Sequence, residues 1–151
     1  MQSIHEWRIA IASDVDIFAA REKGRALAQA MGFEKLDTLV IAAAVSELAR
    51  NILTFAAAGE VRLAVREGPR GVGIMLTACD EGPGIPDLAA ALTDGYSTSG
   101  GYGIGLPGVR RVMDDFTVCS VPGGGTTVVA TKWRPRVLAA ASSCAPASIG
   151  D

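Results

Sequence analysis

A single histidine, His5, and three cysteines, at positions 79, 119 and 144, are all that the chain offers a zinc ion, and neither their number nor their spacing makes a ligand set. The cysteines form no paired motif, which argues against a disulfide framework and for reduced thiols in a cytoplasmic protein. Positive charge is not in excess. Fourteen lysines and arginines stand against 16 aspartates and glutamates, a net charge of −2, so the electrostatic footprint of a nucleic-acid binder is not expected. No apolar run reaches the eighteen or so residues needed to span a bilayer, and the polar and apolar residues alternating at the N-terminus leave no signal-peptide core, so a soluble protein is expected. There is no internal repeat.

What is present suits one globular domain: 151 residues, 49% apolar and 20% charged. The stretch 37–58 repeats Leu39, Val40, Ala43, Ala44, Leu48, Ile52 and Phe55 at helical spacing and predicts a long helix laid on a sheet. Within it, Glu47 and Asn51 are four apart and so stand one above the other on one face. A carboxylate and a carboxamide aimed at one spot suit a hard cation with a general base beside it; the plainer alternative is a solvated helix face.

Around that helix the chain reads in order. Residues 6–12 alternate as a half-buried strand, and Ser13 and Asp14 can cap a helix over 15–31 that buries Ile17, Phe18, Leu27 and Met31 and ends at Gly32. Strands over 60–67 and 72–79 form a hairpin through the turn 68–71, and Cys79 beside Asp80 is expected to be buried and inert. After Asp80 the regular pattern stops at Gly82, Pro83, Gly84 and Pro86, and a glycine- and hydroxyl-rich stretch runs on to Gly105. A helix over 106–113 and strands over 116–121 and 127–133 follow, the strands joined by a glycine-rich hairpin loop. The order predicts an α+β two-layer sandwich, a mixed sheet with helices on one face. Residues 136–151, rich in alanine and serine, are expected to be a disordered tail beyond a domain of residues 1–135. Trp7 and Trp133 are expected to pack rather than bind, and Arg110 and Arg111 to be a surface pair.

The loop residues carry chemistry. Asp80 at a strand end, bounded by Gly82 and Gly84, places one carboxylate where backbone can bend closely around a flat ligand and accept a bond from an exocyclic amine such as that of adenine. Gly101, Gly103, Gly105 and Leu106 then run into a helix whose amides and positive end can hold phosphates. This is neither the Rossmann fingerprint, which needs a preceding strand and a βαβ context, nor a Walker loop, since no Gly-Lys-Ser/Thr follows.

Taken together, Glu47-x-x-x-Asn51, Asp80-x-Gly82-x-Gly84, Gly101-x-Gly103-x-Gly105-Leu106 and Gly125-Thr126 resemble the ordered motifs of the GHKL, or Bergerat-fold, ATPase superfamily. The segments around Ser46 to Ile52, Asp94 to Ser99, Gly105 to Val109 and Thr131 to Arg134 narrow the resemblance, over residues 7–134, to the RsbT-type serine/threonine kinases of the bacterial stressosome. The resemblance implies an ATP- and Mg2+-dependent kinase that phosphorylates STAS-domain scaffold or antagonist proteins and, on release, binds a PP2C-type phosphatase or another sigma-regulatory protein. By the same resemblance Glu47 is the catalytic base, Asn51 the magnesium ligand, Asp80 the adenine acceptor and Thr126 its support. Gly82, Gly84, Gly101, Gly103, Gly105 and Leu106 shape the site and its lid, and Ser97 and Thr98 face the phosphates. Ser99 stands where many of these kinases carry a lysine, and Arg50 is the nearest candidate cation in its place. The alternative function is a nucleotide-gated anti-sigma or adaptor module with little or no kinase activity. A histidine-kinase catalytic domain fits less well, because no phosphoacceptor helix pair precedes the domain.

Overall fold

The computed structural model describes residues 3–93 and 104–135, with side chains from His5 onward. Strand β1 (Ser3–Ile11) leads into helices α1 (Asp14–Ala30) and α2 (Lys35–Ala56), the hairpin β2 (Gly59–Gly68) and β3 (Gly71–Asp80), the short helices α3 (Leu88–Ala91) and α4 (Gly105–Val112), and a second hairpin, β4 (Asp115–Val121) and β5 (Gly125–Arg134). The strands lie in the order β1-β2-β3-β5-β4.

Every pairing among these strands is antiparallel, so the sheet is not the mixed one expected from the sequence. Two helices rather than one separate β1 from β2. Running out and back, they return the chain to the end of the sheet it left, where Ile11 pairs with Gly59, and β2 must then run against β1. Strand β4 runs in the direction of β3, but β5 lies between them. The α+β sandwich itself is the one expected.

The two faces of the strands divide as period-two patterning requires. Ile11, Val61, Leu63, Ile74, Leu76, Val128 and Ala130 point to the helices and are buried. Helix α2 lies over them and buries Ile41, Val45, Leu48 and Ile52 almost completely, at roughly 1.5–3 kcal/mol for each such side chain. By length and composition alone α2 is apolar enough to cross a membrane, although Asp37, Glu47 and Arg50 break its apolar run. Here it is the core helix: it also buries Ser46 and Glu47 and carries Arg50.

Helix α1 packs on α2 through small residues. Ala20, Gly24 and Ala28 are buried at spacings of four, and a Cβ on Gly24 would sit 2.9 Å from a methyl of Val45. That face runs through Ile17 and leaves Phe18, one residue and about 100° further round, 62% exposed rather than in the core. Leu39 on α2 is likewise exposed. At the start of α1, Asp16 accepts bonds from the backbone amides of Ala12 and Ser13, and at its end Gly32 adopts φ +83°, so both termini follow the sequence signals. The one-turn helix α3 was not foreseen; Asp87 caps it by accepting from the Ala90 amide at 3.0 Å.

Trp133 is buried against Gly73. Its Nε1 donates to Asp115 at 2.9 Å, and Arg70 grips both Asp115 oxygens while lying over the indole ring. The Trp133 bond foremost, and then those from Arg70, hold the Asp115 carboxyl below the usual carboxylate value. Trp7 is half-buried, stacked on His5 and covered by Lys23.

Candidate nucleotide site

The floor of the site is apolar. Leu48, Ile52 and Phe55 from α2, Ala78 and Val128 from the sheet, and Ile85 and Leu106 from the flanking loop and α4 enclose a pocket of about 270 Å3 including its open mouth. Its polar groups are Asn51, Asp80 and Thr126. The space inside it that could hold even a water is only about 10 Å3, far below the roughly 300–1,000 Å3 of ligand pockets, so a flat heterocycle enters only when the walls move apart.

Asp80 is the last residue of β3 and faces Thr126 of β5 directly across the ladder. Its Oδ1 accepts from the Gly82 amide at 3.0 Å and from the Thr126 amide at 3.2 Å. No described residue bonds its second oxygen, which can accept a hydrogen bond from a ligand. The bend after β3 is held close to the β4–β5 hairpin. Gly84 has φ +88°, and a Cβ there would stand 2.7 Å from the Val121 carbonyl oxygen; Gly125, at φ +89°, lies against the Asp80 carbonyl. Gly82 packs equally tightly on Ala56 at the end of α2. The Gly123 amide donates to the Pro83 carbonyl, and the Ile85 amide donates to Ser120 Oγ at 2.7 Å.

The Asn51 carboxamide makes no hydrogen bond to any described residue, and its Nδ2 is buried. One neutral oxygen ligand suits magnesium, which keeps several waters and takes its remaining oxygens from phosphates. No group of three or more His, Cys, Asp or Glu among the described residues could cage a metal.

Glu47 lies one turn back along α2, outside the pocket lining, and is 3% exposed. Arg50 Nη1 donates to its Oε2 at 2.7 Å, a short charge-assisted bond. Arg50, the candidate phosphate cation, is therefore engaged by the candidate base.

The structure thus brings Asn51, Asp80, Leu106 and Thr126 into one pocket, while Gly82 and Gly84 are not among its lining residues and lie in the bend between two that are, Asp80 and Ile85. Gly105 opens α4, whose next residue, Leu106, is an apolar wall. Ser97, Thr98, Gly101 and Gly103 lie outside the described residues, as do Ser99, Cys144 and the tail. Cys79 is half-buried rather than buried, since it points to the open face of the sheet, opposite to Asp80; Thr127 Oγ1 lies 3.9 Å from its sulfur. Arg110 and Arg111 are exposed. Two contributors went unseen in the sequence. Ile85 sits between two prolines and glycines, where no periodicity marks it, while Ser120 could have been found as an inward position of the alternating strand β4.

A family model described as histidine kinase-, DNA gyrase B-, and HSP90-like ATPase matches residues 37–136. The chain belongs to that family. It is 46% identical over 125 residues to the serine/threonine-protein kinase RsbT of Bacillus subtilis strain 168, covering 83% of this chain and 94% of the relative. As a member of this family it binds ATP, and at that identity and coverage it is an enzyme, a protein kinase. Among solved structures, the catalytic domain of histidine kinase ThkA aligns with a TM-score of 0.49 at 14% identity, covering 87% of this chain and 95% of that one. The histidine kinase domain of the E. coli osmosensor EnvZ aligns at 0.42 and 22% identity, covering 76% and 72%.

Proposed function

We propose that the chain is a cytoplasmic, ATP- and magnesium-dependent kinase that phosphorylates a serine or threonine of a STAS-domain scaffold or antagonist protein, and that it acts as a partner-switching regulator which also engages a PP2C-type phosphatase or another sigma-regulatory protein. The observation that carries this reading is the placement of Glu47 one turn from Asn51 on the helix that floors a pocket closed by Asp80 and Thr126. The motif resemblance and the identity to RsbT support the choice of partners, and the free thiols Cys79 and Cys119 support the compartment.

The residues divide the labour. Asp80 accepts from the adenine amine, and the apolar walls exclude water from the base. Asn51 would hold magnesium, which when bound neutralises charge on the phosphates. Glu47 accepts the proton of the partner's hydroxyl as its oxygen attacks the γ-phosphorus; the bond from that phosphorus to the β–γ bridging oxygen breaks, and ADP leaves with the electron pair. Little else is required, because phosphoryl transfer depends chiefly on positioning and charge neutralisation.

One observation favours the second reading, a nucleotide-gated binding module. Glu47 is almost fully buried and ion-paired with Arg50, so a partner's hydroxyl reaches it only after local rearrangement. Capture of partners from the source cell with and without nucleotide, followed by phosphosite mapping, separates the two. A captured STAS protein phosphorylated on serine or threonine supports the kinase; nucleotide-dependent capture without phosphorylation supports the module.

A further inference from the structure

Arg50 leaves helix α2 on the side away from the pocket floor. Leu48 and Ile52, which line the pocket, each stand two residues from Arg50, about 200° round the helix. Glu47, three residues back, is only about 60° away on the helix surface. Arg50 Nη1 donates to its Oε2 at 2.7 Å, and of the guanidinium's N–H groups this is the one engaged by a described residue.

The two oxygens of Glu47 are therefore unlike. Oε2 is held by a cation, whereas Oε1 is bonded by no described residue. Nor is Oε1 sealed in the core, as the hydroxyl of the neighbouring Ser46 is, so it shares in the 4% of the side chain that solvent still reaches. A base works only from within hydrogen-bond reach of the proton it takes, about 2.6–3.2 Å, and a misplacement of about 1 Å can cost on the order of 10²-fold in rate. A glutamate side chain turns about several single bonds, and the bond from Arg50 closes a ring across one helical turn that fixes them.

We infer that Arg50 is a positioning residue for phosphoryl transfer: by holding Oε2 of Glu47 it leaves Oε1 as the oxygen that takes the proton, and it acts through that carboxylate rather than as a cation on the phosphates. The inference rests on the reading of Glu47 as the base. Oε1 takes the proton of the attacking hydroxyl as the hydroxyl oxygen bonds to the γ-phosphorus, and the bond to the β–γ bridging oxygen breaks, its electron pair leaving with ADP. Because a single N–H makes the contact, Arg50→Lys can make it too, whereas a bidentate grip on phosphate would need the guanidinium fork.

The test is a double-mutant cycle on single-turnover release of labelled phosphate from ATP to water by the full chain, with ATP and ADP affinities measured beside it by calorimetry. Arg50→Met is expected to release phosphate about 10- to 100-fold more slowly, with both affinities within about twofold of wild type, and Arg50→Lys to recover most of the rate. Glu47→Gln is slower still, and Glu47→Gln/Arg50→Met is no slower than Glu47→Gln, because nothing is left for the arginine to aim. If Arg50→Met does not fold, Arg50→Gln is read by the same cycle. If wild type is silent toward water, the cycle is read on transfer to the captured partner. An Arg50→Met variant that loses ATP affinity but keeps ADP affinity, or whose loss of rate recurs in full in the Glu47→Gln background, puts the cation on the phosphates and overturns the inference while leaving the base in place. An unchanged rate in Arg50→Met overturns it as well. An unchanged rate in Glu47→Gln, or a wild type that binds ATP and transfers phosphate neither to water nor to partner, overturns the base and this inference with it.

Discussion

Arg50 reaches back one turn along α2 to Glu47 and meets its carboxylate at 2.7 Å, with the glutamate side chain 4% exposed and the arginine 34% exposed. A charge that deep is costly unless paired, so the arginine is what allows a carboxylate to sit on the core helix. Removing one partner of a fully buried pair costs roughly 3–5 kcal/mol, and the solvent access of Arg50 reduces this. Arg50→Met is expected to lower unfolding stability by about 1–2 kcal/mol. The double variant Glu47→Gln/Arg50→Met should recover part of that loss. Urea denaturation in which the two substitutions simply add would show that the pair is not coupled.

Asp80→Asn keeps the shape of the strand end but replaces a charged acceptor with a neutral amide. ATP affinity should drop by about 1.5–3 kcal/mol, the usual worth of a hydrogen bond to a charged group, with little change in unfolding temperature. Calorimetry giving equal affinities would take adenine recognition away from this residue.

Asn51→Ala removes a group that no described protein residue uses, so stability should change little. The loss should appear instead in the magnesium dependence of nucleotide binding: the gain in ATP affinity on adding magnesium, measured with and without chelator, is expected to shrink. An undiminished gain would mean that the ion is held elsewhere.

At the other end of the sheet, Asp115 is held below its ordinary value of 3.8 by Trp133 and then Arg70. A carboxyl depressed in the folded state stabilises the protein above its unfolded value, and that stability is lost as pH falls through the folded one. Unfolding free energy should therefore decline below about pH 4, and Asp115→Asn should flatten that decline. The effect is modest, because the group is 47% exposed. An acid limb identical in the variant would assign the pH dependence to other carboxyls.

The parts of the fold legible in the sequence are those where one period dominates. Alternation placed β2 and β3 within a residue or two, and the spacing of Leu48 and Ile52 marked α2. The pairing Glu47 with Asn51 and the lone carboxylate Asp80 were legible because polar groups are rare in such apolar surroundings. The direction of the strands was not: it depends on α1 and α2 packing back to back through Ala20, Gly24 and Ala28, a contact between segments rather than a pattern within one. The same contact turned Phe18 outward. Helix α3 is too short for periodicity and rests on a single cap at Asp87. The link from Ser120 to Thr126 spans two strands, and the grip of Arg50 on Glu47 uses the same helical spacing as any solvated ion pair; burial alone distinguishes it.

The central claim is that Glu47 is the base. It accepts a proton only during transfer, so Glu47→Ala should bind ATP and partner nearly as well as wild type. Single-turnover transfer of labelled phosphate to the captured partner, measured beside nucleotide affinity, tests this directly. A transfer rate lower by roughly 10²–10⁴ with affinity retained is the predicted result, the usual worth of general base catalysis, and an unchanged rate would contradict the account and leave the nucleotide-gated binding module in its place.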